Sequence, residues 1–466
     1  MTTEQTQQST VSAPATFQGG AAGLRIAGLA AGFVMSIVDT TVINVAGPEI
    51  QRRVGVSLAG LTWVVDGYTL SFAALLLLAG SLANRFGAKS VYLTGITIFV
   101  AASLLCGVAP NGAILITGRL VQGVGAALCM PSSLALLTNT FTDPKQRAKM
   151  VGVWASTISA AAAMGPVLGG VLVGTIGWRS IFLLNLPIGL VGFVMTKRLI
   201  PAVPGRVFKP ALAGHALAIV FLGALCFALI EGPDLGWGSG TILGAFAVAL
   251  IGLVLFVLAE RRSAEPILPG ALFRQPRISA TNAISFLLNF GLMGVIFMFG
   301  LFIQNARGAD PLTAGLQMLP LWGVFVVGNI LFTKISGRSG TRWPMIAGLA
   351  GAGVASLVLT QVSPGMPYWL LAVLIGFCSL CIGVTVPAMT ASLMQAAGPQ
   401  YANTASSTLN ATRQVGTLIG VAVVGIVLGT TDDWYVAAAG SFLITAICYL
   451  ASATLAWRFA KDKAAA

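Results

Sequence analysis

Three ionisable residues lie inside long apolar runs of this sequence: Asp39, Asp66 and Arg119. Asp39 stands in FVMSIVDTTVINVAGPEI, Asp66 in WVVDGYTL and Arg119 in GRLVQGVGAA. An acidic side chain at the centre of a membrane-spanning helix costs about 2.5–3.5 kcal/mol, and such groups mark functional sites by default. Burial disfavours a charged carboxylate, whereas a nearby cation favours it. A carboxylate that moves between these two environments would bind and release a proton during a conformational cycle.

Two interpretations of Asp39 and Arg119 stay open from the residues alone. The two side chains could form a buried ion pair that only orders the first helices, or they could handle protons. Asp66 lies nearer the outer end of its span, where it could be partly hydrated. The later spans contain no acidic residue in their interiors, and Arg413 is their one expected buried charge. Proton chemistry is therefore expected in the first half of the chain.

The elements that position these residues must be membrane helices. Of the 466 residues, 56% are hydrophobic and 8% are charged, whereas soluble domains carry roughly 25% charged residues. A helix that spans a bilayer needs about 20 apolar residues. Fourteen runs of that size occur, centred near Met35, Ser71, Phe99, Ala126, Ala161, Val191, Phe221, Val248, Met293, Val324, Gly353, Leu374, Val421 and Ile447. The sequence therefore predicts an all-α membrane protein with 14 transmembrane helices.

The net charge of +13 reflects membrane topology and not nucleic-acid binding, because the basic residues form short clusters between apolar runs. If both termini are cytoplasmic, 20 of the 26 Lys and Arg residues fall in inside loops or tails. Four fall outside and two fall within spans. This bias predicts cytoplasmic termini.

The chain is expected to contain two six-helix halves with two extra helices between them. The loop GSLANRFGAKS after span 2 has a weaker echo in TKISGRSGTRW after span 10, and transporters commonly carry such repeats with the substrate site between them. The predicted boundaries are a disordered cytoplasmic N-terminus (1–22), the first bundle (23–200), two additional helices (201–270), the second bundle (271–460) and a cytoplasmic tail (461–466).

Span 5 combines small residues with a proline in AAAMGPVLGGVLVG. Ala161, Gly165 and Gly169 recur at every fourth residue, which leaves one helix face smooth and lets two helix backbones approach closely. Pro166 removes a backbone hydrogen bond and favours a bend. Ordinary tight packing would explain the glycines alone, but the glycines and the proline together suit a helix that pivots against its neighbour.

These stretches together resemble the major facilitator superfamily, in particular its fourteen-span drug:proton antiporter branch. The match is carried by four sets in order along the chain. Its residues are Asp39, Thr41, Asn44, Ala46 and Pro48 in span 1; Gly80, Leu82, Arg85, Gly87 and Lys89 after span 2; Arg119, Gln122, Gly123, Gly125 and Ala127 in span 4; and Gly165, Pro166, Gly169 and Gly170 in span 5. WVVDGYTL, WRSIFLLNLPIG and LNATRQVG, which contains Arg413, are also typical of the branch.

The resemblance implies a role for each motif. Asp39 would take part in proton coupling or substrate binding, Arg119 would tune proton release, and Gly165 with Pro166 would form a hinge that opposes leak. The loop around Arg85 would gate the cytoplasmic side. This chain departs from the family at Asn84, where an aspartate is usual, and at Ala88, where a basic residue is usual. Because Asn84 cannot form an ion pair, a weaker cytoplasmic latch is expected.

The expected function is export of small hydrophobic compounds, cationic ones among them, in exchange for protons across a bacterial cytoplasmic membrane. Asp39 and Asp66 could attract a cation by offsetting its desolvation. Export or import of a metabolite by the same fold and the same proton coupling is the alternative.

Other functional classes fit the sequence less well. One histidine and six scattered cysteines supply no constellation for an enzyme or a metal site, so catalytic residues, metals and cofactors are not expected. No GxxxxGK[ST] motif for ATP occurs, and no loop is long enough for a sensor domain. The expected partners are a small-molecule substrate, protons and the lipid bilayer, with no nucleic acid, and a monomer is expected to function.

Overall fold

A computed structural model of the chain describes residues 19–141, 143–202, 212–263 and 270–459. The described residues form helices joined by short turns. The predicted tails, 1–22 and 461–466, lie outside the described residues except for positions 19–22, which already belong to the first helix.

Fourteen of the described helices are long and apolar enough to cross a membrane. In chain order they are α1 (Gly19–Ile50), α2 (Leu58–Phe86), α3 (Ala88–Gly107), α4 (Gly112–Thr140), α5 (Pro144–Thr175), α6 (Ser180–Leu199), α7 (Leu212–Leu235), α8 (Gly240–Arg262), α9 (Pro276–Asn305), α10 (Pro311–Gly337), α11 (Arg342–Leu359), α12 (Tyr368–Gly398), α13 (Thr404–Gly429) and α14 (Trp434–Phe459). Each predicted centre lies inside one of these helices, so the prediction of fourteen spans is confirmed.

The helix ends follow from local sequence chemistry. Ser57, Asn111 and Ser239 each accept a hydrogen bond from the backbone N–H three residues later, which satisfies a donor that the first turn leaves open. Gly398 separates α12 from α13 with a φ of 69°, a conformation that glycine adopts without steric cost. The described connections between consecutive helices are short turns.

Small residues bring the helices of each half together. In the first half, α1 packs on α5 and α6, while α4 packs on α2 and α3. In the second half, the backbone of α9 closely approaches α13 at Gly294 and Gly420, and α10 approaches α12 at Gly328 and Gly383. Helices in a bilayer associate through such close packing, since apolar burial alone cannot hold them against lipid.

Helices α7 and α8 fall within residues 201–270, the range that the sequence assigns to two additional helices. Helix α7 fills a seam between α2 and α13, where Leu222 and Cys226 pack with Leu70 and Leu418 in one apolar cluster. Helix α8 packs on α7 and otherwise exposes most of its apolar side chains. Residues 203–211 and 264–269 lie outside the described part of the chain.

The two halves touch at the end of the bundle that the charge bias predicts to be outside. Gln304 on α9 donates a hydrogen bond to the backbone carbonyl of Val45 on α1 at 2.9 Å. Close by, a side chain at Gly315 on α10 would overlap the carbonyl of Pro166 on α5. These contacts close the outer end.

A cavity of about 210 Å³ separates the halves toward the predicted inner end. Its walls are Leu76, Gly80, Met130, Pro131, Leu134 and Trp154 from the first half, with Ser407 and Asn410 from the second. We call this cavity the inner cleft. If the termini are cytoplasmic, as the charge bias predicts, a closed outer end and a cleft at the inner end describe an inward-facing arrangement.

Candidate proton and substrate site

Asp39 and Arg119 form a buried ion pair in the core of the first half. The guanidinium Nη1 of Arg119 donates to Oδ2 of Asp39, and each side chain is only 1% exposed. Arg119 Nε also donates to the carbonyl of Val64 at 2.8 Å. Helices α1, α2 and α4 therefore meet at this pair, and two of the three predicted charged residues are brought together.

Amide side chains complete the surroundings of the Asp39 carboxylate. Gln122 Nε2 donates to Asp39 Oδ1 at 2.8 Å and to Ser103 Oγ at 2.9 Å. Asn185 Nδ2 reaches the same two oxygens at 3.3 Å each. Both carboxylate oxygens thus accept hydrogen bonds, an arrangement that offsets the cost of burying a charge. We call Asp39, Ser103, Arg119, Gln122 and Asn185 the carboxylate network.

Aromatic rings shield the carboxylate network from the surrounding apolar core. The Arg119 guanidinium lies 4.5 Å from the ring centre of Tyr68 and 5.8 Å from that of Phe182. A cation is attracted to the face of an aromatic ring, more strongly where water is excluded. Tyr68, Ser103, Phe182 and Asn185 received no role from the sequence, although three of them lie in or beside the quoted family stretches. The sequence feature that could have identified Asn185 is a polar amide within an apolar run.

Asp66 does not join the carboxylate network. The α2 face that carries Trp63, Asp66 and Leu70 packs toward α7, where Trp63 Nε1 donates to Glu231 Oε1 at 2.7 Å. The Asp66 side chain is fully buried, and neither of its carboxylate oxygens has a hydrogen-bond partner among the described residues. The expectation of partial hydration is therefore wrong for this conformation. Asp66 belongs to the seam with the additional helix.

The glycines of the span 4 and span 5 motifs mark close helix contacts. A Cβ at Gly123 would overlap the carbonyl of Tyr68 on α2. On α5, a Cβ at Gly165 would overlap Thr41 and one at Gly169 would lie 2.5 Å from Val42, both on α1. Gly170 instead faces the start of α10 at Pro311, and Pro166 lies within the same helix. The motif therefore lies where α5 contacts both halves.

The remaining span 1 motif residues shape their own helix. Thr41 Oγ1 donates to the carbonyl of Ile37 at 3.0 Å, and Asn44 Nδ2 donates to that of Thr40 at 3.0 Å. Pro48 lies within the last turn of α1. The backbone carbonyl of Asn44 is approached closely by Gly300 of α9. Thr41 and Asn44 thus serve the contacts of α1 with α5 and with the second half.

The loop motif after α2 divides into two parts. Gly80 lines the inner cleft, while Asn84 and Arg85 are exposed. Gly87 turns the chain with a φ of 86°. Lys89 Nζ donates to the carbonyls of Lys197 at 2.9 Å and Ile200 at 2.6 Å, so it caps the end of α6. Lys89 therefore has a structural partner within its own half.

Arg413 lies on α13 in a different setting. Its Nη2 donates to Thr390 Oγ1 of α12 at 2.9 Å, and its Nε is buried without a hydrogen-bond partner among the described residues. The ion pairs found in the described part of the chain do not include it.

A profile of the Major Facilitator Superfamily matches residues 29–421 and 281–465. The chain belongs to the Major Facilitator Superfamily. The resemblance to this superfamily is thereby confirmed, and the described residues have the helical fold and the fourteen candidate spans that the sequence predicts. A member of this transporter family takes a small-molecule substrate, is a multi-pass membrane protein and is not an enzyme.

Named relatives are resistance proteins. The chain is 49% identical over 436 residues to the methylenomycin A resistance protein of Streptomyces coelicolor, covering 94% of this chain and 92% of that protein. It is 37% identical over 398 residues to the multidrug resistance protein Stp of Mycobacterium tuberculosis, covering 85% and 74%. Both relatives are named for resistance to antibiotics or drugs, which agrees with the expected class of function.

A solved structure supports the fold at low identity. A crystal structure of a mutant of the peptide transporter POT in complex with sulfate superposes with a TM-score of 0.67 at 16% identity, covering 94% of this chain and 95% of that one. The likeness concerns the arrangement of helices.

Proposed function

We propose that this protein exports small hydrophobic compounds from the cytoplasm in exchange for protons, by alternating access across a bacterial cytoplasmic membrane. The carboxylate network carries the proposal, because it holds the Asp39 carboxylate in a buried place where its charge depends on one cation. Proton binding to Asp39 would remove that charge and release Arg119 from its partner. The carboxylate network would then rearrange, and α1 and α4 would move relative to each other.

The contacts between the halves support alternating access. In the inward-facing arrangement, α5 touches α1 and α10 through Gly165, Gly170 and Gly315, so small residues let the outer end close. Opening that end would separate α5 from α10 near Pro166, where the helix can bend. The inner cleft would close at the same time. Asn84 and Arg85 stand exposed at that end and are available for a closing contact in the alternate state.

Asp66 is a second group for proton binding within this proposal. An ionised carboxylate that is buried without partners is expensive, so a neutral Asp66 suits this conformation. Since Asp66 lies on the α2 face next to α7, a movement of α2 against α7 would change its access to water.

Methylenomycin A is the first compound to test, because the 49% identical relative is named for resistance to it. The membrane potential can drive this exchange, since one charge that crosses 100 mV supplies about 2.3 kcal/mol. Everted membrane vesicles should accumulate methylenomycin A when an inside-acid gradient is imposed and should lose it after a protonophore is added.

Asp39→Asn should abolish this pH-driven uptake while leaving the amount of inserted protein unchanged. Asp432→Asn is the matched control, because Asp432 is an exposed acid in a loop. Accumulation that ignores both the gradient and the Asp39 substitution would contradict the proposal. Flux in the opposite direction under the same gradient would favour an importer.

A further inference from the structure

The acids that could attract a cationic substrate are both engaged away from the inner cleft. Asp39 is paired with Arg119 and is 3% exposed. Asp66 faces the α7 seam and is fully buried. Residues 271–459 contain three acids, Asp310, Asp432 and Asp433, and all three are exposed in turns at the predicted outer end. The described walls of the inner cleft accordingly carry no negative charge.

A positive charge lies beside the inner cleft instead. Ser407 and Asn410 of α13 line it, and Arg413 follows Asn410 by three residues, so these side chains share one face of the helix. Because α13 begins at the predicted inner end, Arg413 lies deeper than Asn410. It is therefore one turn nearer the closed end than Asn410, just beyond the residues that line the inner cleft.

The hydrogen bonds of Arg413 are incomplete. A guanidinium has five N–H donors. Among the described residues, Arg413 has one side-chain acceptor, the Thr390 hydroxyl, and its buried Nε has no hydrogen-bond partner. In contrast, Arg119 has a carboxylate, an amide oxygen and a backbone carbonyl. A buried cation that lacks an anionic partner is costly unless a ligand supplies one.

We infer that Arg413 binds an anionic group, a carboxylate, on the exported compound when that compound occupies the inner cleft. The planar fork of a guanidinium matches the two oxygens of a carboxylate. The amide of Asn410 is placed one turn away for a further hydrogen bond. The apolar body of the compound would lie against Trp154 and Met130 on the opposite wall. This inference rests on the proposed function and specifies the charge of its substrate.

Two probes of nearly equal shape test the inference, namely 1-naphthoate and its uncharged methyl ester. Binding to the purified full-length protein in detergent at neutral pH is measured by calorimetry. Because hydrogen bonds to charged groups contribute about 1.5–3 kcal/mol, and 1.4 kcal/mol is tenfold, naphthoate should bind at least about tenfold more tightly than the ester. Equal affinity of the native protein for the two probes would overturn the inference.

Substitutions locate the preference. Arg413→Gln should bring the two affinities together, Arg413→Lys should keep part of the difference, and Arg198→Gln, at an exposed arginine of α6, should change neither. A carboxylate preference that survives Arg413→Gln contradicts the inference. If Arg413→Gln binds neither probe, the result with Arg413→Lys decides, since a preference that returns with the charge supports the inference and its absence overturns it.

The outcome is separable from that of the proposed function, because binding in detergent involves no proton gradient. Gradient-driven flux of methylenomycin A without any carboxylate preference would remove only the present inference. A carboxylate preference without gradient-driven flux would remove only the proton coupling.

Discussion

Two arginines inside the helical bundles, the buried Arg119 and the partly buried Arg413, give the halves of this transporter different chemistry. Arg119 in the first half donates to the carboxylate of Asp39, the amide oxygen of Gln122 and the carbonyl of Val64. Arg413 in the second half donates to the Thr390 hydroxyl, and its Nε has no hydrogen-bond partner among the described residues. The same side chain is thus part of a closed internal network in one bundle and is available for a ligand in the other. Under the two proposals above, proton coupling and substrate recognition would reside in different halves.

The largest expected difference is in stability. Arg119→Gln would leave the Asp39 carboxylate buried without its cation, and breaking a buried pair in this way costs about 3–5 kcal/mol. Arg413→Gln removes a cation that lacks a carboxylate partner, so the free energy of unfolding should change little. Thermal unfolding of the two variants in the same detergent measures the difference. Equal losses would mean that Arg413 has a structural partner as strong as Asp39.

A double substitution sharpens this test. Arg119→Gln combined with Asp39→Asn should recover much of the stability lost in Arg119→Gln alone, because both buried charges are then absent. Without such recovery, the cost of Arg119→Gln would come from packing against Tyr68 and Phe182 and not from the ion pair.

A smaller effect is expected at Asn185. Asn185→Ala removes the donor that reaches both Asp39 Oδ1 and Ser103 Oγ, and one such hydrogen bond contributes about 0.5–1.5 kcal/mol. The rate of gradient-driven uptake should therefore fall by less than about tenfold in the variant, since about 1.4 kcal/mol corresponds to a factor of ten. Vesicle uptake of methylenomycin A at equal amounts of inserted protein checks this. An unchanged rate would mean that Arg119 and Gln122 alone are enough to hold the carboxylate.

The smallest effect concerns the loop after α2. Lys89→Met removes two hydrogen bonds to the carbonyls at the end of α6, where a cation also interacts favourably with the helix dipole by about 0.3–1 kcal/mol. A slightly lower melting temperature with nearly normal transport is expected. Lys145→Met is the control, since Lys145 is exposed near the start of α5. A complete loss of transport in Lys89→Met alone would assign Lys89 to the gate.

Much of the fold was predictable because membrane helices are specified by local composition. All fourteen spans follow from runs of apolar residues, and Asp39 with Arg119 stood out because charges inside such runs are rare. Their contact was not specified locally, since it depends on how α1 and α4 pack. Asp66 shows the limit most clearly. It lies within an apolar run, as Asp39 does, but the orientation of α2 turns it toward α7 and away from the carboxylate network.

The role of Lys89 was likewise hidden from the sequence. The family resemblance places it in a cytoplasmic gate, a role that stays a prediction, while the structure shows it bonded to carbonyls more than 100 residues later in the chain. Asn185 and Ser103 had no motif role, and only the three-dimensional arrangement brings them to Asp39.

Proton release on substrate binding tests the central claim most directly. Purified protein in weakly buffered detergent solution receives methylenomycin A, and the pH change is recorded. If Asp39 exchanges its proton for substrate, the native protein and Asp432→Asn should release about one proton per bound molecule at the starting pH that gives the largest release, and Asp39→Asn should release fewer. Equal release from the native protein and from Asp39→Asn, with substrate binding intact in both, would contradict the account.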